Sequence, residues 1–162
     1  YWHFKDKADL FNAMMERVTL PLEQTLTAAY AEQATHPVVE IRSAMQDALR
    51  LIATDAQTRR VLQIATHQVE YTADMGAVLE RHLSVHDGCV ERNLVALQRA
   101  FAARNQTPPI ARDFAARGLQ VLVEGLVHQW LLNPEAFDLQ ANGLAALDVY
   151  LGGLGLHDTA PG

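Results

Sequence analysis

The sequence predicts an all-α protein that folds as a single-domain bundle of about six helices. Three observations favour this fold class. Apolar residues recur every three or four positions along nearly the whole chain, which is the spacing of one helix face. No segment combines alternating polarity with the β-branched content that is typical of strands. The chain has 162 residues, 49% of them hydrophobic, so it can bury a core without disulfide or metal support.

The first half of the chain carries three predicted helices. The first begins near Lys7 and runs to about Tyr30, and Pro21 is expected to kink or interrupt it. The second begins at Pro37, because proline suits the first position of a helix. The third begins after Asp55, whose carboxylate can cap a helix N-terminus.

The second half carries three more. The fourth predicted helix covers about residues 72–104, and the fifth covers about 110–132. Because the fifth is apolar nearly all the way round, we expect it to be buried on more than one side. Asp138 can cap the last helix, which covers about residues 139–154.

The charge distribution argues against nucleic-acid binding by this chain alone. The formal net charge is -6, and neither lysine nor arginine occurs after Arg117. A DNA-binding surface needs clustered cations that neutralise phosphates.

Cysteine content and chain ends bear on the compartment. The single cysteine, Cys89, excludes an internal disulfide and suits a reducing cytoplasm. No apolar run approaches the roughly 20 residues that span a bilayer, and the start lacks the apolar region of a signal peptide. Since the chain begins with Tyr1 rather than methionine, we expect a cytoplasmic fragment whose true N-terminus lies upstream.

Catalytic motifs are missing from the sequence. It has no glycine-rich phosphate loop, no GxSxG element and no paired carboxylates that flank an obvious cleft. We therefore expect no enzyme activity and no cofactor.

A polar stripe runs along the fourth predicted helix. His82, His86, Cys89 and Asn93 are spaced by four, three and four positions, which places them on one helix face. Three interpretations remain open. The two histidines and the thiol have the spacing of zinc ligands; the stripe is also what a solvated helix face looks like; and it suits one wall of a mixed polar and apolar pocket.

A carboxylate lies in the apolar fifth helix. Glu124 has Gln120 one turn before it and His128 one turn after it on the same face. Because burying an unpaired carboxylate is costly, Glu124 is expected to be hydrogen-bonded, protonated or facing a wet cavity. Such a cavity suits amphipathic or cationic organic molecules, and the alternative is that Glu124 pairs across a dimer interface.

Two longer motifs resemble a known family. The run Tyr1–Phe11, YWHFKDKADLF, resembles the segment that closes the DNA-binding domain of TetR-family repressors. Residues 125–139, GLVHQWLLNPEAFDL, resemble the last two helices of AcrR-like multidrug regulators, and residues 58–60 and 67–71 are similar to the same subfamily. The resemblance implies that residues 1–7 end a helix-turn-helix whose remainder lies upstream, and that residues 8–162 form a ligand-binding and dimerisation domain of the TetR type.

The resemblance also implies a function. We expect a homodimeric repressor whose binding to operator DNA is relieved by a small-molecule inducer, with no membrane partner, and which controls a multidrug efflux operon. The alternative is a TetR-type regulator that senses a metal or a metabolite. Ligand binding is expected to swing the helix that starts near Lys7 and so to move the two DNA-reading heads off the spacing that DNA demands.

Site residues follow from matching positions, motif by motif. The residues expected to contact DNA phosphates are Tyr1, His3 and Lys7. The residues expected to line the ligand pocket are Val18, Leu22, Met45, Ala48, Leu62, Thr66, His86, Cys89, Asn93, Leu119, Gln120, Val123, Glu124, Val127 and His128. The last two helices offer more apolar surface than one small bundle buries, and their expected dimer residues are Leu122, Leu126, Trp130, Leu144, Leu147, Tyr150, Leu151 and Leu154.

Overall fold

A computed structural model describes residues 3–29, with side chains up to residue 24, and residues 36–157. Within these ranges the chain forms six α-helices and one short 3-10 turn, and no strand. The predicted all-α bundle is therefore confirmed. The helices are α1 (Lys7–Ala29), α2 (Pro37–Thr54), α3 (Ala56–His67), α4 (Gly76–Ala103), α5 (Arg112–Leu132) and α6 (Leu139–Gly153), and the 3-10 turn covers Ala73–Met75 just before α4.

Local capping explains where most of these helices begin. Pro37 occupies the first turn of α2, where its missing N–H costs nothing. The Asp55 carboxylate accepts a hydrogen bond of 2.9 Å from the Thr58 backbone N–H at the start of α3. The Asp138 carboxylate does the same for α6, accepting from the Ala141 N–H at 2.9 Å. The three predicted starts are confirmed.

Helix α1 continues through Pro21 without a break, so an interruption at this proline is not observed. Val18 and Leu22, on either side of the proline, both pack against the same apolar cluster. Tertiary packing therefore holds the helix across a residue that would weaken it in isolation. The N-terminus of α1 is capped by Asp6, whose carboxylate accepts from the Asp9 N–H at 2.8 Å.

Helix α2 is the centre of the bundle. It packs against α1, α3, α4 and α6, while α5 packs against α3, α4 and α6. Three apolar clusters hold these contacts. The first joins α2, α4, α5 and α6 around the fully buried Phe101 and Leu119. The second joins α1, α3 and the start of α4, and the third joins α2, α5 and the start of α6.

Two glycines let helices approach closely. Gly143 on α6 faces Leu49 on α2, and Gly118 on α5 faces the Tyr150 ring on α6. A Cβ atom at either position would lie less than 3.0 Å from the facing side chain. The Tyr150 hydroxyl uses this close approach to donate a hydrogen bond of 2.7 Å to the Ala115 carbonyl.

The fifth helix packs against three other helices, as its composition predicted, but one of its faces stays open within a single chain. Phe114, Val121 and Leu132 on α5 are 66%, 57% and 59% exposed, and Val149 on α6 is 76% exposed. The three α5 residues are separated by seven and eleven positions, so they lie on one helix face. In this chain α5 covers its inner face with α3, α4 and α6 and leaves its outer face open.

In the part of the chain that the structure describes, no helix combines the length and apolarity that crossing a membrane requires.

Candidate functional site

A hydrogen-bonded network links α4 to α5. Asn93 Nδ2 donates to Gln120 Oε1 at 3.1 Å, and Gln120 Nε2 donates to Glu124 Oε1 at 2.8 Å. His86 Nδ1 lies 2.9 Å from the same Glu124 oxygen. The sequence placed all four residues among the pocket candidates, and the structure brings them together.

Helical spacing puts these residues in register. Asn93 follows His86 by seven positions on α4, and Glu124 follows Gln120 by four positions on α5. Both pairs therefore lie on facing stripes of neighbouring helices. Exposure to solvent increases along the network. Asn93 is 2% exposed, whereas the side chains of His86 and Glu124 are 24% and 47% exposed. The network thus runs from the core to the surface.

Glu124 is half-exposed rather than buried, which corrects the expectation of a carboxylate inside a covered helix. Its hydrogen-bonding requirement is met by Gln120 and His86, as a carboxylate beside an apolar core needs. A half-exposed, prepositioned carboxylate is a group that a charged or hydrogen-bonding ligand can reach.

Cys89 lies beside the network on α4. Burial raises the pKa of its thiol, and the positive charge of Arg92 opposes that shift. Arg92 Nη2 donates to Cys89 Sγ at 3.2 Å. Across the residues that the structure describes, no three histidine, cysteine, aspartate or glutamate side chains are grouped as a metal would need. The zinc interpretation of the stripe therefore gains no support from the geometry.

Two histidines predicted near this stripe lie apart from the network. His82 is exposed, and its ring centroid is 6.1 Å from that of Tyr71. His128 turns towards α3, where its ring meets the His67 ring edge-on at 4.4 Å. His67 Nε2 also lies 3.3 Å from the His128 carbonyl oxygen. Helical periodicity placed His128 one turn after Glu124, but it did not predict that the His128 ring would contact His67.

Most of the apolar pocket candidates are distributed over the three apolar clusters. Met45 and Leu119 belong to the first cluster, and Val18 to the second. Ala48 is buried on α2, and Thr66 is half-buried on α3. The remaining four are partly buried where α1, α3 and α5 meet: Leu22 and Leu62 pack against the second and third clusters, Val123 against the first and third, and Val127 against the third.

A groove between α1 and α4 was not predicted from the sequence. Its volume is about 690 Å³, and it is lined by Glu16, Leu20, Glu23, Ala77, Glu80, Arg81, Ser84, Val85, Gly88 and Arg92. Arg92 connects this groove to Cys89 through its hydrogen bond. The small residues Ala77, Ser84 and Gly88, spaced by seven and four positions, are the sequence signal that could have indicated an open helix face.

Half of the predicted dimer residues face the core of the chain itself. Trp130, Leu147, Leu151 and Leu154 are 5%, 1%, 2% and 6% exposed, so they have almost no surface left for a partner. Their role is corrected to core packing. The other four, Leu122, Leu126, Leu144 and Tyr150, are half-buried.

Of the predicted DNA-contacting residues, Lys7 is the first residue of α1 and His3 precedes it. Tyr1 is outside the described residues, whereas His3 and Lys7 are exposed. Lys7 is close enough to Asp74 to lower the pKa of that carboxyl, after the larger effects of hydrogen bonds from Thr72 and from the Asp74 backbone. Lys7 is thus available at the surface but has an acidic neighbour.

Residues 36–155 match the family model described as "MAATS-type transcriptional repressor, C-terminal region". The chain belongs to this TetR-type repressor family. Among its curated relatives, the HTH-type transcriptional regulator TtgR of Pseudomonas putida is 30% identical over 140 residues, which are 86% of this chain and 66% of TtgR. The chain therefore spans just under two thirds of the length of TtgR.

Two solved structures resemble the chain along nearly its whole length. NalD, a secondary repressor of the MexAB-OprM multidrug efflux pump in Pseudomonas aeruginosa, has a TM-score of 0.81 and 28% identity, with 98% of this chain and 78% of NalD covered. SmeT in complex with triclosan has a TM-score of 0.79 and 28% identity, with 100% of this chain and 79% of SmeT covered. SmeT is the repressor of the Stenotrophomonas maltophilia multidrug efflux pump SmeDEF.

Proposed function

We propose that this chain is the ligand-sensing and dimerisation part of a cytoplasmic, DNA-binding repressor that controls a multidrug efflux operon. The observation that carries the proposal is the polar network from Asn93 to His86, which is set into an otherwise apolar interface between α4 and α5. Its relatives TtgR, NalD and SmeT support the class of function, because two of them are named as efflux-pump repressors and one was solved with a small aromatic compound.

The ligand class follows from the composition of the site. Small-molecule sites are mostly apolar, with a few polar groups that fix orientation. Here Leu22, Leu62 and Val123 supply partly buried apolar side chains, while Gln120 and Glu124 supply hydrogen-bonding groups. This combination suits amphipathic aromatic molecules, including those that carry a positive charge.

The path from ligand to DNA runs through α1. The same helix carries Lys7 at its first position and Val18 and Leu22 near the candidate pocket. Met75, just before α4, packs in one cluster with Ala8 near the start of α1. A ligand that favours a different packing of α4 against α1 therefore shifts the population of α1 orientations, and with it the spacing of two DNA-reading heads.

The dimer forms, in this proposal, through the open outer faces of α5 and α6. Phe114, Val121, Leu132 and Val149 are more than half exposed, and exposed apolar residues that share one face mark an interaction surface. A two-fold axis that pairs these faces with their copies gives a four-helix interface. Burying each such side chain contributes about 1.5–3 kcal/mol relative to leaving it exposed.

A gel-shift titration tests the proposal. The full-length protein is added to DNA from its own promoter region, and hydrophobic antibiotics and dyes are then added to the complex. We expect a discrete shifted band that some of these compounds release. A discrete band that no compound releases would contradict the drug-responsive part of the proposal, and the absence of any promoter-specific band would contradict the repressor itself.

A further inference from the structure

The His86 imidazole and the Glu124 carboxylate form the outermost contact of the network. Glu124 Oε1 is shared by two groups, with Gln120 Nε2 at 2.8 Å and His86 Nδ1 at 2.9 Å. The side chains of His86 and Glu124 are 24% and 47% exposed, so their contact is reachable from solvent. This contact joins α4 to α5 and becomes an ion pair when the imidazole is protonated.

The two partners of the carboxylate differ in how firmly they are held. Gln120 is 9% exposed, and its carbonyl accepts from the fully buried Asn93, so its amide group is fixed towards Glu124. His86 lies further out on α4, beyond the buried part of the stripe. A ligand group that binds Glu124 would take the place of His86 rather than that of Gln120, because moving Gln120 would also break its buried hydrogen bond with Asn93.

We propose that His86 holds the place on Glu124 that the positive group of a cationic ligand takes, so that binding of a cation displaces a proton from His86. The inference rests on the proposed ligand-sensing function and specifies its ligand selectivity. Protonated His86 forms an ion pair with Glu124, and an incoming cation would have to share that carboxylate with a second positive charge. The cation therefore binds best when the imidazole is neutral.

Other ionisable groups lie on the helices that pack near the pair. Helix α4 also carries His82, Cys89 and Arg92, and α5 carries His128, which contacts His67 on α3. Glu23 on α1 acts on the Cys89 thiol. Helices α2 and α6 contribute apolar residues to the first cluster, and Arg42 on α2 bonds to Asp148 on α6 at 2.9 Å. Arginine stays charged at all relevant pH values, and burial raises the pKa of Cys89 away from neutrality.

The sign of the pH dependence follows from linkage. Imidazoles ordinarily titrate near 6.5 and carboxyl groups near 4.3, so between about pH 5.5 and 7.5 an imidazole changes charge while a carboxylate stays ionised. If cation binding needs one neutral imidazole, the affinity for the cation rises by about tenfold over this interval. A neutral ligand of similar shape gains no such dependence.

Isothermal titration calorimetry with two probes tests the proposal. Tetraphenylphosphonium is a permanent cation, and triphenylphosphine oxide is a neutral compound of related shape. For the unchanged chain we expect the affinity for the cation to rise about tenfold between about pH 5.5 and 7.5, with protons released to the buffer, and the affinity for the neutral probe to stay constant.

Two matched variants isolate the residue. His86→Asn keeps an N–H donor near Glu124 but cannot titrate, so the pH dependence should disappear while cation binding remains. His82→Asn removes an exposed histidine one turn away and should leave the pH dependence intact. An equal pH dependence in the unchanged chain and in His86→Asn, or for both probes, would overturn this inference alone. Binding of neither probe at any pH would overturn the proposed ligand-sensing function together with it.

Discussion

Gly143 offers a direct test of how tightly α6 packs against α2. A methyl group added at this position would lie less than 3.0 Å from Leu49 Cδ1, with Leu49 Cδ2 and Cγ both at 3.6 Å. Leu49 is 1% exposed and belongs to the third apolar cluster, so its side chain is enclosed by neighbours. We therefore expect Gly143→Ala to overpack this interface, which costs about 1–3 kcal/mol.

Helix propensity acts in the opposite direction and has to be separated from packing. Alanine is about 1 kcal/mol more favourable than glycine inside a helix. Gly88, in the middle of α4, is the matched control, because a Cβ atom there meets Arg92 Nη1 at an ordinary 3.8 Å. Gly88→Ala should thus stabilise the chain by about 1 kcal/mol. Since both variants gain the same propensity, the difference between them isolates the packing cost of about 1–3 kcal/mol.

Urea unfolding followed by far-ultraviolet circular dichroism, at one fixed protein concentration, measures both variants. The same Gly143→Ala change is then repeated in a Leu49→Ala background, where the shortened side chain leaves room for the methyl group. There we expect Gly143→Ala to stabilise the chain relative to Leu49→Ala alone. The close α2–α6 packing would be refuted if Gly143→Ala and Gly88→Ala stabilised the unchanged chain equally.

Three further predictions address a cap, a hydrogen bond and the dimer. Hydrogen bonds from Thr58 lower the pKa of Asp55, so its stabilisation is present at neutral pH and is lost as the pH falls through that lowered pKa. Asp55→Ala should therefore lower the thermal midpoint at pH 7 but not at about pH 2, and equal losses at both would contradict this. Tyr150→Phe removes a hydrogen bond to the α5 backbone and should cost about 0.5–1.5 kcal/mol in urea unfolding, whereas no loss would argue against that bond. Val149→Asp should turn a dimer into monomers in analytical ultracentrifugation. Val39→Asp, at an exposed valine on α2, should leave the protein dimeric. If Val149→Asp also left the protein dimeric, the interface would lie elsewhere.

Local chemistry made the helix boundaries predictable. Asp55 and Asp138 act through hydrogen bonds to residues three positions away, and Pro37 acts through its own ring. Such effects depend on neighbouring residues in the sequence, so the sequence contains the information. Pro21 shows the limit of this argument, because the contacts that keep α1 continuous come from other helices.

The sequence named all four residues of the hydrogen-bonded network, but it did not show how they meet. The spacing of His86 and Asn93, and of Gln120 and Glu124, correctly put each pair on one helix face. Periodicity within one helix does not reveal how two helices are rotated against each other, and that rotation decides which side chains meet. For the same reason Trp130 and Leu147 were expected at the dimer surface although they are buried in the core, whereas the exposure of Val149 was not predicted. In a helix that is apolar nearly all round, composition cannot distinguish the inner face from the outer one.

Reciprocal coupling between ligand and DNA tests the central claim most directly. The affinity of the full-length protein for a releasing compound is measured twice, once without DNA and once with saturating promoter DNA. Because allostery is a single coupling free energy, the compound should bind more weakly in the presence of DNA, by the same factor by which it weakens DNA binding. An affinity for the compound that is unchanged by saturating DNA would contradict the claim that this chain is the ligand sensor of a repressor.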